Sequence, residues 1–524
     1  MKRLLLLTAI APTVAMAAYI EKPNIIVILS DDMGYSDIGC YGSEIKTPNL
    51  DRLAKSGVRF TQFYNGARSC PSRASLMTGL YPHQAGLGGM TVKPQKVTEG
   101  YTGSINKKCV TIAEALKSAG YNSYCSGKWH LSEGEDFEPG DVGIDKQDWP
   151  LQRGFDRYYG IINGATSFWN PKTLVRGNEI VTKDTDEGYK PEKPYYLTTA
   201  ITDHACRYID EHEGDNPYFL YVAYTAAHWP MHAPAEDIAK YKGVYDEGYD
   251  AIRKARYKRM QKMGVIADNV ELSPTVGDWA SVEDKAYEAK LMECYAAMID
   301  NMDRGIGEIL DVVEKRGEMD NTIILFLQDN GACAEDLSGP YAQKYMGDVK
   351  QVEFDGSINT FVSYEKNWAN VSNTPFRLYK KNSHEGGIAT PLIVHWGDGL
   401  KARNKIVDEP SHLIDIMATC IDVSGATYPT TYDGGEIRPM EGRSVIPICE
   451  GEAVSERPLF FAHGGKNGVR CGDWKIACEQ NKPWELYHIS EDRAELNNLA
   501  SKYPERVEEL KKMWNEWAVR AHVK

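Results

Sequence analysis

Asn24-Ile25-Ile26-Val27-Ile28-Leu29-Ser30, followed at once by Asp31-Asp32, is the stretch from which the fold is read. Its continuous run of branched aliphatic side chains has no polar face, which suits a central parallel strand covered on both sides. In an open α/β sheet, ligands gather at the carboxyl ends of the strands, so Asp31 and Asp32 are candidate metal ligands. A helix cap or an ordinary turn would use the same pair.

Downstream, Thr47-Pro48-Asn49-Leu50-Asp51 opens a helix that stops at Gly57, and Val58 to Tyr64 is the next strand. That strand runs into Ser69-Cys70-Pro71-Ser72-Arg73, continuing through Ala74 to Gly79, where a short helix is expected to begin near Pro71 or Ser72. A helix N-terminus presents free N–H groups that favour an anion, so Ser69 stands where a nucleophile would meet a negatively charged group. Ser and Pro are also plain helix-start residues, and both readings stand on this segment alone.

The alternation of strand and helix continues. Thr111 and Glu114 have capping-box spacing ahead of an apolar helix face, and Tyr121 to Ser126 is a short strand. At its end come Lys128 and His130; if the extended conformation persists, their period-two spacing points both to one side, as an anionic ester would require. A surface Lys beside a packed His is the competing reading. Pro217 to Tyr224 is another buried strand, with His228 shortly after it, whereas His204, His212 and His395 read as structural or surface residues. Apolar positions from Tyr287 to Val313 follow helical spacing and define one long amphipathic helix with a Met and Tyr core stripe. Thr322 to Leu327 is a strand that ends in Gln328-Asp329-Asn330-Gly331, again an acid and an amide at a strand end. Lys380, Lys381 and Glu385-Gly386-Gly387 precede the strand Leu392 to Trp396, and the two glycines permit close backbone approach.

With 524 residues and 42% hydrophobic composition, the chain is long enough for a large core and two or three domains. A formal charge of −14 gives no basis for nucleic-acid binding. Met1-Lys2-Arg3, the apolar run Leu4 to Ile10 and Ala15-Met16-Ala17 have the layout of a secretory signal peptide cleaved after Ala17, and no later segment reads as a membrane helix. The 11 Cys residues lack zinc-type pairs; most read as core thiols, with Cys471 and Cys478 as one pair that an oxidising compartment could join. After Gly425 a loop-rich boundary leads to short antiparallel strands and a closing helix, Pro504 to Val519.

Taken together, these segments resemble the type I sulfatases of the alkaline-phosphatase-like superfamily. The resemblance rests on Ser69-Cys70-Pro71-Ser72-Arg73 with Leu76, Thr78 and Gly79, on Gly127-Lys128-Trp129-His130, on Asp329-Asn330-Gly331, on Glu385-Gly386-Gly387, and on Trp484-Glu485-Leu486-Tyr487 with Asn498-Leu499-Ala500. It implies a large mixed, mostly parallel sheet sandwiched by helices over residues 18–425, with an α+β subdomain bearing an antiparallel sheet over 426–524, after a signal peptide at 1–17. It further implies that Ser69, not Cys70, is oxidised to formylglycine by a maturation enzyme, in bacteria typically a radical enzyme that works without oxygen. The hydrated aldehyde has one hydroxyl to attack sulfur and a second whose deprotonation expels sulfate. A plain serine has no such exit. On the same ground Asp31, Asp32, Asp329 and Asn330 match the ligands of one Ca²⁺. Arg73 and Lys128 match residues that hold formylglycine, His130 matches the base for sulfate elimination, and His228 and Lys380 match the residues that meet the leaving oxygen. Lys380 is preferred over Lys381 by its spacing to Glu385.

The expected protein is therefore an exported, periplasmic or extracellular bacterial sulfuric ester hydrolase, not inserted in a membrane, with a sulfated carbohydrate as substrate and a galactose-type sugar as the candidate. A phosphomonoester or phosphonate ester hydrolase of the same superfamily, and a noncatalytic glycan-binding protein, are the alternatives. Substrate selectors are expected in 87–108, 131–150 and 164–182. Within the first, Lys93, Lys96, Lys107 and Lys108 either meet a polyanion or form a solvated loop.

Overall fold

A computed structural model describes residues 22–92, 97–134, 136–337 and 353–524. The signal peptide expected over 1–17, Lys93 and Lys96 lie outside the described residues. Eleven strands form the main sheet: β1 (Asn24–Ser30), β2 (Val58–Tyr64), β3 (Asn122–Gly127), β4 (Arg157–Ile161), β5 (Leu174–Arg176), β6 (Glu179–Ile180), β7 (Tyr218–Ala223), β8 (Thr322–Gln328), β9 (Ala389–Trp396), β10 (Lys405–Val407) and β11 (Ser411–His412). Their order is β10-β2-β9-β8-β1-β7-β3-β4-β5-β6, with β11 also on β2. β1 lies parallel between β7 and β8, with Val27 beside Tyr221 and Leu325. β3 is parallel to β7 and β4, while β9 runs antiparallel to β2 and β8. The carboxyl ends of β1, β3, β7 and β8 thus open on one edge of the sheet, the edge at which α/β folds bind ligands.

Side chains of β1 alternate between two cores, which is why its apolar run is unbroken. Ile26 and Ile28 join Leu220, Val222, Ile324 and Phe326 against Leu291, Met298 and Ile306 of the 31-residue helix Lys285–Lys315. Ile25, Val27 and Leu29 pack with Phe219, Ile323 and Leu325 beneath Leu76, Leu116 and Met417 on the other face. Fully burying one such aliphatic side chain contributes about 1.5–3 kcal/mol. No helix among the described residues is long and apolar enough to cross a membrane.

Two local expectations are corrected. The helix after β2 spans Ser69–Thr78, starting two residues ahead of Pro71, because Arg68 is extended and its carbonyl accepts the Ser72 N–H at 2.9 Å. No N–H of a first turn has an intrahelical partner, so proline fits anywhere in it and does not mark the start. Cys471 and Cys478 are both free thiols, opposite Trp474 and Asn467 at the two ends of one hairpin ladder.

After a small hairpin, β12 (Thr431–Tyr432) with β13 (Gly435–Glu436), a second antiparallel sheet follows: β14 (Leu459–His463), β15 (Lys466–Cys471), β16 (Trp474–Cys478) and β17 (Glu485–His488). Val469, Ile476 and Leu486 pack on Leu510, Trp514 and Trp517 of the helix Pro504–Arg520. A buried charge cluster joins this unit to the main sheet. Lys475 Nζ lies 2.8 Å from both Glu385 Oε1 and Glu495 Oε1, and Arg493 Nε lies 3.4 Å from Glu385 Oε2. The Glu385 N–H donates to Glu495 Oε2 at 2.8 Å, and the Tyr64 hydroxyl donates to Glu385 Oε2 at 3.1 Å. Lys475→Met leaves two buried carboxylates short of a cation and is expected to cost about 3–5 kcal/mol, read from urea unfolding. A loss under about 1 kcal/mol would show that solvent reaches these groups.

Candidate active site

Ser69 is the first residue of its helix and is buried. Its Oγ accepts a hydrogen bond from Arg73 Nε, one turn on, at 3.0 Å, and lies 3.4 Å from His130 Nδ1. The remaining guanidinium groups of Arg73 reach inward, donating to the Lys128 carbonyl at 2.9 Å and to Asp31 Oδ2 at 3.3 Å, with Asp329 Oδ2 at 3.6 Å. Arg73 is therefore a brace between the serine and the carboxylates at the ends of β1 and β8. The neighbouring Cys70 thiol is buried, which pushes its pKa up to about 11, and it faces the Gly89 carbonyl.

Lys128 and His130 both reach this centre, though not by period-two spacing. Gly127 has φ 121° and His130 has φ 56°, so the extended conformation ends with β3. Lys128 Nζ donates to Asp31 Oδ2 at 2.5 Å, while His130 turns to Ser69. Burial, reinforced by Lys128 and Arg73, holds the His130 pKa well below the ordinary histidine value, so the ring is neutral and has a nitrogen lone pair to offer.

Asp32 meets three partners from distant segments. Lys380 Nζ lies 2.7 and 2.8 Å from its two oxygens, His228 Nε2 lies 3.3 Å from Oδ2, and Asn330 Nδ2 donates to Oδ1 at 2.7 Å. The other ring nitrogen of His228 is 2.7 Å from the Trp229 carbonyl, so Nδ1 carries the proton there. Of the two adjacent lysines, Lys380 is the one at the carboxylates, placed by its N–H bond to the Ala332 carbonyl at 3.0 Å. Lys381 turns away and pairs with Glu335.

The oxygen atoms of this centre fit a hard cation. Asp31 Oδ1, Asp329 Oδ2 and Asn330 Oδ1 are buried and accept no hydrogen bond among the described residues. Asp31, Asp32 and His228 offer donor atoms within 4.8 Å of one another. Burial and the adjacent Asp31 charge push the Asp329 carboxyl up to about 7, so of the three carboxylates it is the one least held in its ionised form by the protein's own cations. Asp31 itself would be raised by burial, but Lys128, His228 and Arg73 outweigh that and keep it below the ordinary carboxylate range. Carboxylate and amide oxygens are the donor types that suit Ca²⁺ or Mg²⁺.

All ten residues singled out from the sequence thus meet at one edge of the sheet, beside a cavity of about 390 Å³ lined by Ser69, Lys128, His130, His228 and Lys380 among others. The cavity wall also carries Arg68, His232 and Glu335, none of which the motifs marked. A helix-start serine braced by an arginine, beside lysines and an oxygen-rich cluster, defines a hydrolase of anionic esters. The sulfatase family profile matches residues 23–426. The chain belongs to the sulfatase family and is a sulfuric ester hydrolase. It is similar to the arylsulfatase of Klebsiella aerogenes, 35% identical over 459 residues that cover 84% of this chain and 95% of that one. An uncharacterized sulfatase of Schizosaccharomyces pombe is 32% identical over 94% of this chain and 93% of its own. In fold it is similar to the crystal structure of Ps i-CgsB in complex with k-i-k-neocarrahexaose, at TM-score 0.67 and 24% identity, covering 95% of this chain and 92% of that one.

Proposed function

We propose that this sulfatase removes sulfate from a sulfated carbohydrate, with a formylglycine hydrate made from Ser69 as nucleophile and one Ca²⁺ held by Asp31, Asp32, Asp329 and Asn330. The observation that carries this reading is the position of Ser69 Oγ, between Arg73 Nε and His130 Nδ1, with Arg73 reaching on to Asp31 and Asp329. Bound calcium would polarise the sulfate and favour the ionised nucleophile. Arg73 and Lys128 orient residue 69 and offset charge. His130, neutral through burial, takes the proton whose loss expels sulfate. His228 and Lys380 face the leaving oxygen; His228 acts as the proton donor in its doubly protonated form, through Nε2, beside the Asp32 carboxylate, since Nδ1–H is committed to the Trp229 carbonyl.

The carbohydrate assignment draws support from the oligosaccharide named with the fold neighbour, and a galactose-type sugar remains the first candidate. The same reading makes the protein exported, through the segment 1–17, and dependent on a maturation enzyme.

Initial rates on 4-nitrophenyl sulfate and 4-nitrophenyl phosphate test it. Sulfate turnover is expected to dominate. Faster phosphate turnover would assign the site to phosphomonoesters, and turnover of neither by protein with verified formylglycine would leave a binding protein.

A further inference from the structure

Glu335 lies six residues beyond Asp329, in the cavity wall, and the chemistry above makes no use of it. Three segments hold its carboxylate in place. Oε2 accepts the Trp229 indole N–H at 2.9 Å, and Oε1 pairs with Lys381 and, at 3.7 Å, with Arg68. Its backbone carbonyl accepts the Ser363 hydroxyl. The side chain keeps 14% of its surface exposed, enough to be touched from the cavity that it lines. Trp229 and Phe361, whose ring centroids are 5.8 Å apart, line the same wall.

An ionised carboxylate only accepts hydrogen bonds and has room for about four. Burial would raise the Glu335 pKa, but Lys380 and Lys381 outweigh it and bring the value down to about 2, so the group is charged at any working pH. The sulfate end of the cavity carries Lys128 and Lys380, whereas this wall offers whatever is attached to the sulfate a carboxylate acceptor whose charge is offset by Lys381 and Arg68. A sugar hydroxyl is a donor that such a carboxylate would bind.

We propose that Glu335, set by Trp229 and Lys381, forms a hydroxyl-binding subsite that selects a sulfated sugar ring with a free hydroxyl turned toward it. The inference rests on the sulfatase reading above and names its substrate class. Glu335 is a specificity-determining residue in this scheme, and its loss is felt through the sugar, not through the sulfate.

The test compares wild type with Glu335→Gln and Glu335→Asp on 4-nitrophenyl sulfate and on a panel of galactose, N-acetylgalactosamine and fucose monosulfates. The Asp variant keeps the charge but withdraws the acceptor from the cavity. For the best sugar substrate, both variants are expected to lose roughly tenfold or more in kcat/KM beyond any loss on the aryl ester, the scale of a charged hydrogen bond. Equal losses on both substrates, no loss on either, or a wild type that turns over none of the panel would overturn the subsite. Failure of wild type on the aryl ester is the separate sign that the sulfatase chemistry itself is misassigned.

Discussion

Replacing Ser69 by alanine is expected to lower 4-nitrophenyl sulfate turnover by roughly 10⁴-fold or more, the scale seen when a nucleophile is removed from a preorganised site. Ser69 Oγ is the atom that both Arg73 and His130 address, and among the described residues no other hydroxyl lies within hydrogen-bond reach of both. Cys70 offers no substitute, since its thiol is buried against the Gly89 carbonyl and its pKa is pushed up to about 11. The fold should register the change only modestly. Ser69 is not the helix cap, but its loss leaves the buried Arg73 Nε–H without an acceptor, so a stability cost of about 1–3 kcal/mol is expected. A thermal melt beside the rate measurement separates these effects. Activity within tenfold of wild type in the alanine variant would show that another group attacks sulfur.

Removing calcium with EGTA is expected to reduce turnover at least a hundredfold, and adding Ca²⁺ back to restore it. The argument is electrostatic. Asp31, Asp32 and Asp329 are fully buried, and Arg73, Lys128 and Lys380 are already engaged with them, yet Asp329 is still pushed up to about 7. A divalent cation would let all three carboxylates ionise and would satisfy the orphaned Asp31, Asp329 and Asn330 oxygens. Binding to the folded state alone also stabilises it, by about 2.7 kcal/mol when Ca²⁺ is held at a hundred times its Kd. The melting temperature should therefore rise with Ca²⁺ and fall with EGTA. Asp329→Ala should lose most of that response. Unchanged melting and unchanged rate after exhaustive chelation would remove the metal from the account.

The sheet was legible because burial on both faces leaves a signature that a single strand carries. Asn24 to Ser30 reads as unbroken aliphatic sequence since alternate residues enter two different cores. Strand ends were legible for the same reason, and with them the acids of β1 and β8. His204, read as a structural or surface residue, is structural: it stacks on Tyr159 at 3.6 Å between ring centroids and bonds to the Ala200 carbonyl. The start of the Ser69 helix was not legible, because proline is tolerated throughout a first turn. The spacing of Lys128 and His130 pointed to the right place by the wrong geometry, as the backbone turns at Gly127 and again at His130. Glu335 carries no motif. Its setting exists only where the segments bearing Trp229, Lys381 and Arg68 meet. Lys475 reads as one polar residue within a strand, and its role at the junction depends on Glu385 and Glu495, both distant in sequence.

The most direct test of the central claim is peptide mass spectrometry of residue 69 carried out on the same preparations whose sulfate turnover is measured. Activity is predicted to rise in proportion to the fraction of chains in which the Ser69 hydroxymethyl group has become an aldehyde, and to vanish as that fraction goes to zero. Full turnover by protein carrying only unmodified Ser69 would contradict it.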